Sequence, residues 1–434
     1  MAQFITYSPS KSNVIKAPEI SVLVPVMNEA GNIRALIDEI CDTFRGRKFE
    51  IIYIDDGSTD ETILELQTCL SQVEELRVFR HKRRSGQSVA IRTGLLALIG
   101  PKADLYDCVP MQGPGSYAVE AMLGSFVSQD GKVLVLANGA YGMRAAATLD
   151  YLGRDKIVLD KGDYMPPRGA EVAEILAKDP AITHVMAIHC ETSSGILNPI
   201  EEIAEATRTA GRKLLIDSMS AFGALPLHPA QLGCAAFVSS ANKCIEGVPG
   251  FSFVIAQTTE LQAARGNAHS LSLDVEAQWR VMNDTGQWRF TPPTHVVAAF
   301  LKALAAHAAE GGVKARGARY THNRDFMVSG MRALGFETLL EDRWLSPIIV
   351  TFFCPADPAF KFSQFYDAMK ERGFIIYPGK LTIVDSFRIG CIGQIDTDVM
   401  HHMLTAVKAA LAQIGVADAA PPSAALNERR KLTA

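Results

Sequence analysis

The sequence predicts an α/β protein: a large doubly wound domain, a smaller α+β domain after it, and a partial Rossmann-like α/β segment before it. Apolar runs typical of buried parallel strands recur along most of the chain, and helical stretches separate several of them. Gly100-Pro101 and Pro292-Pro293 interrupt this pattern. We therefore divide the chain into residues 1–104, 105–292 and 293–416, followed by a tail.

The first segment contains the start of a doubly wound sheet. Residues 20–26 form an apolar run, and an amphipathic stretch over 32–44 follows it. A second strand over 50–54 ends at Asp55-Asp56-Gly57-Ser58. The pattern stops near residue 98, so we expect only a partial unit, whose ligands would bind at the carboxyl ends of its strands.

The second segment is predicted to hold a mostly parallel sheet with helices on both faces. A helix is expected over 199–210, because Pro199 stands near its start and Gly211 just past its end. Six candidate strands lie at residues 133–137, 157–159, 184–189, 213–216, 236–239 and 252–255.

The third segment is predicted to form a small α+β domain packed on the large one. Gly311-Gly312 separates two long helical stretches, over 296–309 and towards 334. Strands are expected over 347–353 and 373–377, and a closing helix over 396–414. Residues 417–434 contain two adjacent prolines and several alanines, and we expect them to be disordered.

Composition argues against several functional classes. Of the 434 residues, 48% are hydrophobic and 21% charged, as in ordinary soluble globular proteins, and no apolar run has the length of a membrane span. The net charge of -4 gives no electrostatic reason to expect nucleic acid or an anionic membrane as a partner. The eight cysteines show neither metal-site nor disulfide spacing, and no secretory h-region is visible. We expect a cytoplasmic protein without a metal site.

Lys243 and Asp217 form the candidate reactive pair. Each follows an apolar strand, and small polar residues surround the lysine. A pyridoxal enzyme needs a lysine amine to hold the aldehyde and a carboxylate to keep the pyridinium nitrogen protonated. Two strand carboxyl ends of one sheet would bring these groups together. The alternatives are a surface lysine and an aspartate that caps a helix.

A turn of small residues over 112–117 precedes a helix-like stretch. Glycines let the backbone approach an anion, and a helix N-terminus offers unpaired N–H groups. The turn is therefore a candidate phosphate site, although a generic turn remains the alternative.

These motifs resemble those of class V aminotransferases, which have fold type I. The resemblance is carried by residues 189–195, 217–220 and 239–243, continues over 247–253, 286–294 and 377–382, and covers roughly residues 105–414. Within the class, the sequence is most similar to transaminases that use 2-aminoethylphosphonate and pyruvate. The resemblance implies pyridoxal 5'-phosphate as cofactor, and phosphonoacetaldehyde and alanine as products. Alanine–glyoxylate or serine–pyruvate transaminases are the alternative within the class.

The same resemblance implies roles for individual residues. Lys243 carries the cofactor as a Schiff base and acts as the catalytic base, and Asp217 pairs with the pyridinium nitrogen. Arg388 binds the substrate carboxylate. The remaining cofactor contacts are Gly115, Ser116 and Asn242 at the phosphate, Tyr141 stacked on the ring, Thr192 near the ring hydroxyl, and Thr291.

Thr291 matches a residue that reaches the cofactor phosphate of the neighbouring subunit, so a homodimer is implied. Pro114 departs from the family pattern in the phosphate turn, where it removes a hydroxyl and an N–H donor. We therefore expect weaker cofactor affinity than in relatives.

The first segment resembles a different family, the nucleotide-binding half of family 2 glycosyltransferases. Residues 24–29, 54–60 and 84–90 carry this resemblance, which implies a base contact at Asp56 and a ribose contact at Gly57. The metal-binding Asp-x-Asp motif does not follow, so sugar transfer is not expected, and a sugar-nucleotide-binding module is the alternative. The aminotransferase family's own N-terminal segment is not visible, and we expect lower turnover for that reason.

Overall fold

The computed structural model describes residues 4–7, 20–55, 57–81, 86–100, 102–379 and 384–433. The first segment forms a four-stranded sheet of order β1-β4-β3-β2, in which β2, β3 and β4 are parallel and β1 runs antiparallel to β4. Ile37, Ile51 and Leu66 lie in its core. The elements are β1 (Phe4–Tyr7), β2 (Ile20–Val26), α1 (Ile33–Thr43), β3 (Phe49–Asp55), α2 (Thr62–Leu70) and β4 (Leu76–His81).

A seven-stranded sheet forms the centre of the second segment. It consists of β5 (Tyr106–Gln112), β6 (Lys132–Ala137), β7 (Asp155–Asp160), β8 (Ile182–Ile188), β11 (Lys213–Asp217), β12 (Cys234–Ser240) and β13 (Phe251–Gln257), with a separate hairpin of β9 (Cys190–Glu191) and β10 (Ile196–Leu197). The strand order is β5-β13-β12-β11-β8-β6-β7. All strands of this sheet except β13 run in the same direction, so the six predicted strands and the mostly parallel sheet are confirmed.

Helices cover both faces of this sheet. Alternate residues of β6 point to opposite sides: Leu134 and Leu136 join one apolar cluster, and Val133 and Val135 join the other. The helices of this segment are α4 (Gly115–Phe126), α5 (Ala140–Tyr151), α6 (Gly169–Lys178), α7 (Ile200–Thr209), α8 (Pro229–Leu232), α9 (Thr258–Ala263) and α10 (Val275–Thr285).

The third segment packs two long helices and a small sheet around an aromatic core. Its elements are α11 (Thr294–Glu310), α12 (Gly312–Ala333), β14 (Ile349–Phe353), α13 (Phe362–Glu371), β15 (Tyr377–Pro378), β16 (Ser386–Gly390), α14 (Thr397–Gln413) and α15 (Ser423–Thr433). The sheet is antiparallel, of order β14-β16-β15. The strand expected over 373–377 contributes only Tyr377, and the central strand β16 was not predicted.

Residues 423–433 of the tail form helix α15, which corrects the expectation that residues 417–434 are disordered. Ala425 is buried in the core of the small domain, and Arg429 donates to the Thr338 carbonyl at 2.6 Å. Alanines and a few apolar residues are enough to form α15 because the small domain supplies a surface for one face of this helix.

Helix α3 (Gly86–Leu96) links the first and second segments. Its residues Ile91 and Leu95 are fully buried in the apolar cluster of the large domain, together with Phe300 of α11. Arg92 donates to both carboxylate oxygens of Asp107 at 2.6 Å. The helix therefore forms part of the core of the large domain, although its sequence continues the pattern of the first segment.

Within the described ranges no single helix has the length and apolar character needed to cross a membrane. Only α11 and α12 taken together meet that test, and they are bent by 78° at Gly311.

Candidate active site

Lys243 lies in the loop after β12, where two cavities of ≈ 510 Å³ and ≈ 400 Å³ meet, and it lines both. Every residue of β12 is buried, so the strand gives the loop a rigid base. The loop is closed by hydrogen bonds from Glu246 N to Lys243 O at 2.8 Å and from Gly247 N to Ala241 O at 2.9 Å. The amine is thus held at the border of two spaces large enough for small molecules.

Asp217 is the last residue of β11, the strand that pairs in parallel with β12. Its side chain lines the larger cavity together with Lys243. Oδ1 accepts a hydrogen bond from Met219 N at 2.9 Å within a turn, and no helix begins in the described residues directly after β11, so Asp217 does not have the alternative role of a helix cap. Burial is the main cause that raises the pKa of this carboxyl to about 6. A cationic ring nitrogen in the cavity would favour the ionised form.

The turn over 113–116 forms the opposite wall of the larger cavity. Gly113 has φ 115°, which favours glycine, and Pro114 precedes the first residue of α4 without a side-chain cap. A Cβ at Gly115 would overlap the sulfur of Met219. The turn therefore presents the N-terminus of α4 to the cavity, and exposed Ser116 and Asn242 also line it.

Tyr141 lines both cavities from the first turn of α5. Its backbone N–H donates to Glu191 Oε2 at 3.0 Å, and Gly142 N donates to the same oxygen at 3.2 Å. Ser193 Oγ donates to Glu191 Oε1 at 2.5 Å. Glu191 is fully buried, and burial raises its pKa. Glu191 lies within the motif over 189–195, for which the sequence predicts no role at this position, and its hydrogen bonds show that it anchors the start of α5.

Arg388 lies on β16 and lines the smaller cavity with Lys243 and Thr192. It donates to Thr192 O at 2.8 Å and to Pro378 O at 3.0 Å, and its guanidinium carbon lies 5.9 Å from the centre of the Tyr377 ring. Burial lowers its pKa. No carboxylate among the described residues forms an ion pair with it. A half-buried guanidinium without an acidic partner is suited to bind an anionic ligand.

Thr291 is the one candidate residue that lies away from both cavities. It is exposed in the connection between α10 and α11. The motif residues Lys380, Leu381 and Thr382 fall outside the described residues.

Among its described residues, the first segment offers few acidic side chains in the positions that a sugar transferase would use. The expected base contact, Asp56, falls outside the described residues. Asp55 is buried and pairs with Arg80 at 3.0 Å. At the start of the second segment, Asp107 accepts hydrogen bonds from Arg92 at 2.6 Å and from Trp279 Nε1 at 2.7 Å. In the described part of the chain no cluster of acidic, histidine and cysteine side chains could hold a metal ion.

Two family models match the chain in succession. "Glycosyl transferase family 2" matches residues 21–101, and "Aminotransferase class-V" matches residues 117–357. A 2-aminoethylphosphonate–pyruvate transaminase of Rhizobium meliloti (strain 1021) is 66% identical over 349 residues, which are 80% of this chain and 91% of that protein. The corresponding transaminase of Pseudomonas putida (strain GB-1) is 49% identical over 324 residues, which are 75% of this chain and 88% of that protein.

Solved aminotransferase structures share the fold. Ureidoglycine–glyoxylate aminotransferase from Bacillus subtilis has a TM-score of 0.69 at 18% identity, and covers 81% of this chain and 90% of its own. Pyridoxamine–pyruvate aminotransferase from Mesorhizobium loti has a TM-score of 0.68 at 21% identity, and covers 80% and 90%. These likenesses confirm the predicted fold type I. Since the class-V model spans more than half of the residues and the relatives match most of their length, this chain belongs to the class-V aminotransferase family.

Proposed function

We propose that this chain transfers the amino group of 2-aminoethylphosphonate to pyruvate, giving phosphonoacetaldehyde and alanine, with pyridoxal 5'-phosphate as cofactor. The observation that carries the proposal is the placement of Lys243 and Asp217 at the ends of adjacent parallel strands, in one cavity of ≈ 510 Å³. The transaminases of Rhizobium meliloti and Pseudomonas putida named above support this choice of substrates.

The residues of the larger cavity fit this cofactor. Bound pyridoxal phosphate supplies an electron sink for the carbanion formed from the amino donor. Asp217 would hold the proton on the ring nitrogen, since a buried carboxylate is stabilised by an adjacent cation. Tyr141 stands on the wall against which the ring would stack, and the N-terminus of α4 at Gly115 faces the space for the phosphate.

Lys243 performs two tasks in this scheme. Its amine would hold the cofactor through the aldehyde until the donor amine takes its place. The free Nζ would then act as the base that removes the proton from the amino-bearing carbon of the donor and returns it to the cofactor. Its position on the border of the two cavities suits both tasks, because the larger cavity would hold the cofactor and the smaller one the substrate.

Arg388 supplies the cationic group that would bind an anion in the smaller cavity. Its guanidinium is oriented by the carbonyls of Thr192 and Pro378, which leaves further N–H groups for a ligand. A pyruvate carboxylate bound there would place its carbonyl carbon towards Lys243, on the same cavity wall. The orientation of pyruvate thus follows from one charge-assisted contact.

A homodimer completes the proposal. Exposed Thr291 would contact the cofactor phosphate of the partner subunit, which explains its position away from the cavities of its own chain. Phe290 and Leu271 leave 49% and 71% of their surface exposed close to it, where Arg289 donates to the Leu271 carbonyl at 2.7 Å. A partner subunit packed there would remove this apolar surface from water.

The substrates can be tested with the purified full chain loaded with pyridoxal phosphate. We expect phosphonoacetaldehyde from 2-aminoethylphosphonate and pyruvate, and much slower turnover of alanine or serine as amino donor with glyoxylate. Preference for serine or alanine as donor would replace this proposal by the other class-V activity. Retention of a labelled UDP- or GDP-sugar, with no transamination, would favour the sugar-nucleotide-binding alternative instead.

A further inference from the structure

We propose that Glu246 is a positioning residue that fixes the backbone of Lys243 relative to the strand carrying Arg388. It does so through an ionic cluster, the Glu246 cluster, and this inference rests on the proposed function. The members of the cluster belong to the lysine loop, α11 and α12: Glu246, Glu310, Arg316, Arg319 and Tyr320.

Glu246 closes the lysine loop in a backbone conformation that side chains rarely adopt. Its φ is 60°, in the left-handed region. Its N–H donates to the carbonyl of Lys243 at 2.8 Å, so the backbone conformation of Glu246 orients the carbonyl group of Lys243. A non-glycine residue keeps this strained backbone conformation only when surrounding contacts hold it there. The side chain of Glu246 makes such contacts.

The Glu246 carboxylate is held from three directions. Its Oε1 accepts from Tyr320 Oη at 2.5 Å, and it lies 3.0 Å from Arg319 and 3.5 Å from Arg316. Arg316 has only 1% of its side chain exposed and donates to the Cys244 carbonyl at 2.5 Å. Cys244 and Glu246, which stand one and three positions after Lys243, are therefore both bonded to α12.

The cluster also contacts the segment that follows β16. Arg319 donates to the Gly393 carbonyl, and Gly393 N donates to Tyr320 Oη at 3.4 Å. Gly393 follows β16 by three residues, and β16 carries Arg388. One turn of α12 is thus bonded both to the lysine loop and to the segment that continues from the arginine strand.

Charge and geometry explain why this cluster can hold a fixed distance. Two carboxylates, of Glu246 and Glu310, face two guanidinium groups, of Arg316 and Arg319, so the charges balance. Hydrogen bonds to charged groups are directional, and a satisfied buried network favours one arrangement over its neighbours. Apolar packing at the same place would tolerate sliding of the loop. The cluster therefore sets how far Lys243 lies from the carboxylate held by Arg388.

The test compares Glu246→Gln with the parent, as full chains loaded with pyridoxal phosphate. Glu337→Gln is the matched control, because Glu337 is also partly buried and pairs with Arg332 at 3.0 Å, outside both cavities. We expect Glu246→Gln to lower kcat about tenfold to a hundredfold, since a misplacement on the order of 1 Å has that effect. The cofactor dissociation constant should change little. Glu337→Gln should lose thermal stability but keep its kcat.

A second readout does not depend on turnover. The visible absorbance band of the bound cofactor, followed against pH, reports the surroundings of Lys243, and its midpoint should shift in Glu246→Gln but not in Glu337→Gln. Parental kcat and midpoint in Glu246→Gln would overturn the positioning role. An inactive parent with a shifted midpoint in the variant would contradict the proposed substrates and support the positioning role.

Tyr320→Phe provides a variant that keeps every charge. It removes the 2.5 Å hydrogen bond to Glu246 and leaves the ring in its buried site. We expect a smaller loss of kcat in the same direction, with the cofactor still bound. If Glu246→Gln does not fold, Tyr320→Phe decides the question, and an unchanged kcat and band midpoint in that variant would contradict the proposal.

Discussion

Asp217 and Lys243 follow neighbouring parallel strands, β11 and β12, and their side chains line the same cavity of ≈ 510 Å³. Parallel strands end at one edge of a sheet, so two residues separated in sequence meet without any long loop. Arg388 reaches Lys243 from the other domain and lines the smaller cavity with it. The site therefore combines a carboxyl and an amine at the end of the large sheet with a guanidinium from the small sheet.

Lys243→Ala should remove the visible absorbance that the parent shows with pyridoxal phosphate, because no other described lysine lines the larger cavity. The control is Lys302→Ala, which changes an exposed lysine on α11 and should leave the band intact. Absorbance spectra after dialysis measure the result. A parent chain that stays colourless after addition of pyridoxal phosphate would contradict the proposed cofactor.

Arg388→Ala should weaken the use of pyruvate by about 2–4 kcal/mol in kcat/KM, the usual cost of losing a partly buried charge-assisted contact. Cofactor affinity should change little, because Arg388 lines only the smaller cavity. Arg372→Ala is a suitable control, since Arg372 also donates to a backbone carbonyl of the small domain but lies outside both cavities. An unchanged KM for pyruvate in Arg388→Ala would place the carboxylate elsewhere.

Asp217→Asn should stabilise the cofactor-free protein at neutral pH. The folded pKa of Asp217, about 6, lies above its ordinary value of 3.8, so the folded chain binds this proton more tightly than the unfolded chain. Its contribution to stability is complete below pH 3.8 and is lost as the pH rises through 6. The variant should therefore exceed the parent by at most about 3 kcal/mol at pH 8, and by nothing near pH 3.5.

Denaturant unfolding at several pH values measures this difference. Burial lowers the pKa of His184 and His189 to about 4, so both chains lose stability as the pH falls from 6.5 through 4. This loss is common to parent and variant and cancels in the comparison. A variant that is less stable than the parent at pH 8 would show that the ionised Asp217 is already stabilised by its neighbours.

Leu95→Ala and Ile37→Ala should distinguish the stability of the large domain from that of the first sheet. Both delete a fully buried side chain and should cost about 2–5 kcal/mol. Leu95 lies in the core of the large domain, whereas Ile37 lies in the core of the first sheet. Only Leu95→Ala should lower the temperature at which the cofactor absorbance is lost. Equal effects of the two variants would show that the first sheet and the large domain unfold as one unit.

Replacing residues 1–85 with the N-terminal segment of the Rhizobium meliloti relative should raise kcat and leave α3 in place. The family resemblance implies that this segment forms one wall of the donor pocket. The alignment with the Rhizobium meliloti relative leaves 9% of that protein without a counterpart in this chain. Phosphonoacetaldehyde formation measures the change. Equal rates in the graft and the parent would show that the first sheet does not impair the enzyme.

The sequence by itself determined the elements whose signal is local. Long apolar runs predict the six strands of the large sheet, and Gly211 and Gly311 mark helix ends that the structure confirms. Lys243 and Asp217 are predicted from their residue types directly after apolar strands, and Arg388 from the family resemblance. The structure brings all three to adjoining cavities.

Only the tertiary structure decided the elements whose stability comes from partners distant in sequence. Strand β5 contains Asp107 and Pro110, which break its apolar pattern, but it is an edge strand, where a missing N–H is tolerated. Helix α15 exists because the small domain buries Ala425, and α3 belongs to the large domain because Leu95 packs against residues two hundred positions away. Glu191 and Glu246 act through hydrogen bonds to residues that are distant in sequence, Tyr141 and Tyr320. Local sequence patterns do not reveal such contacts.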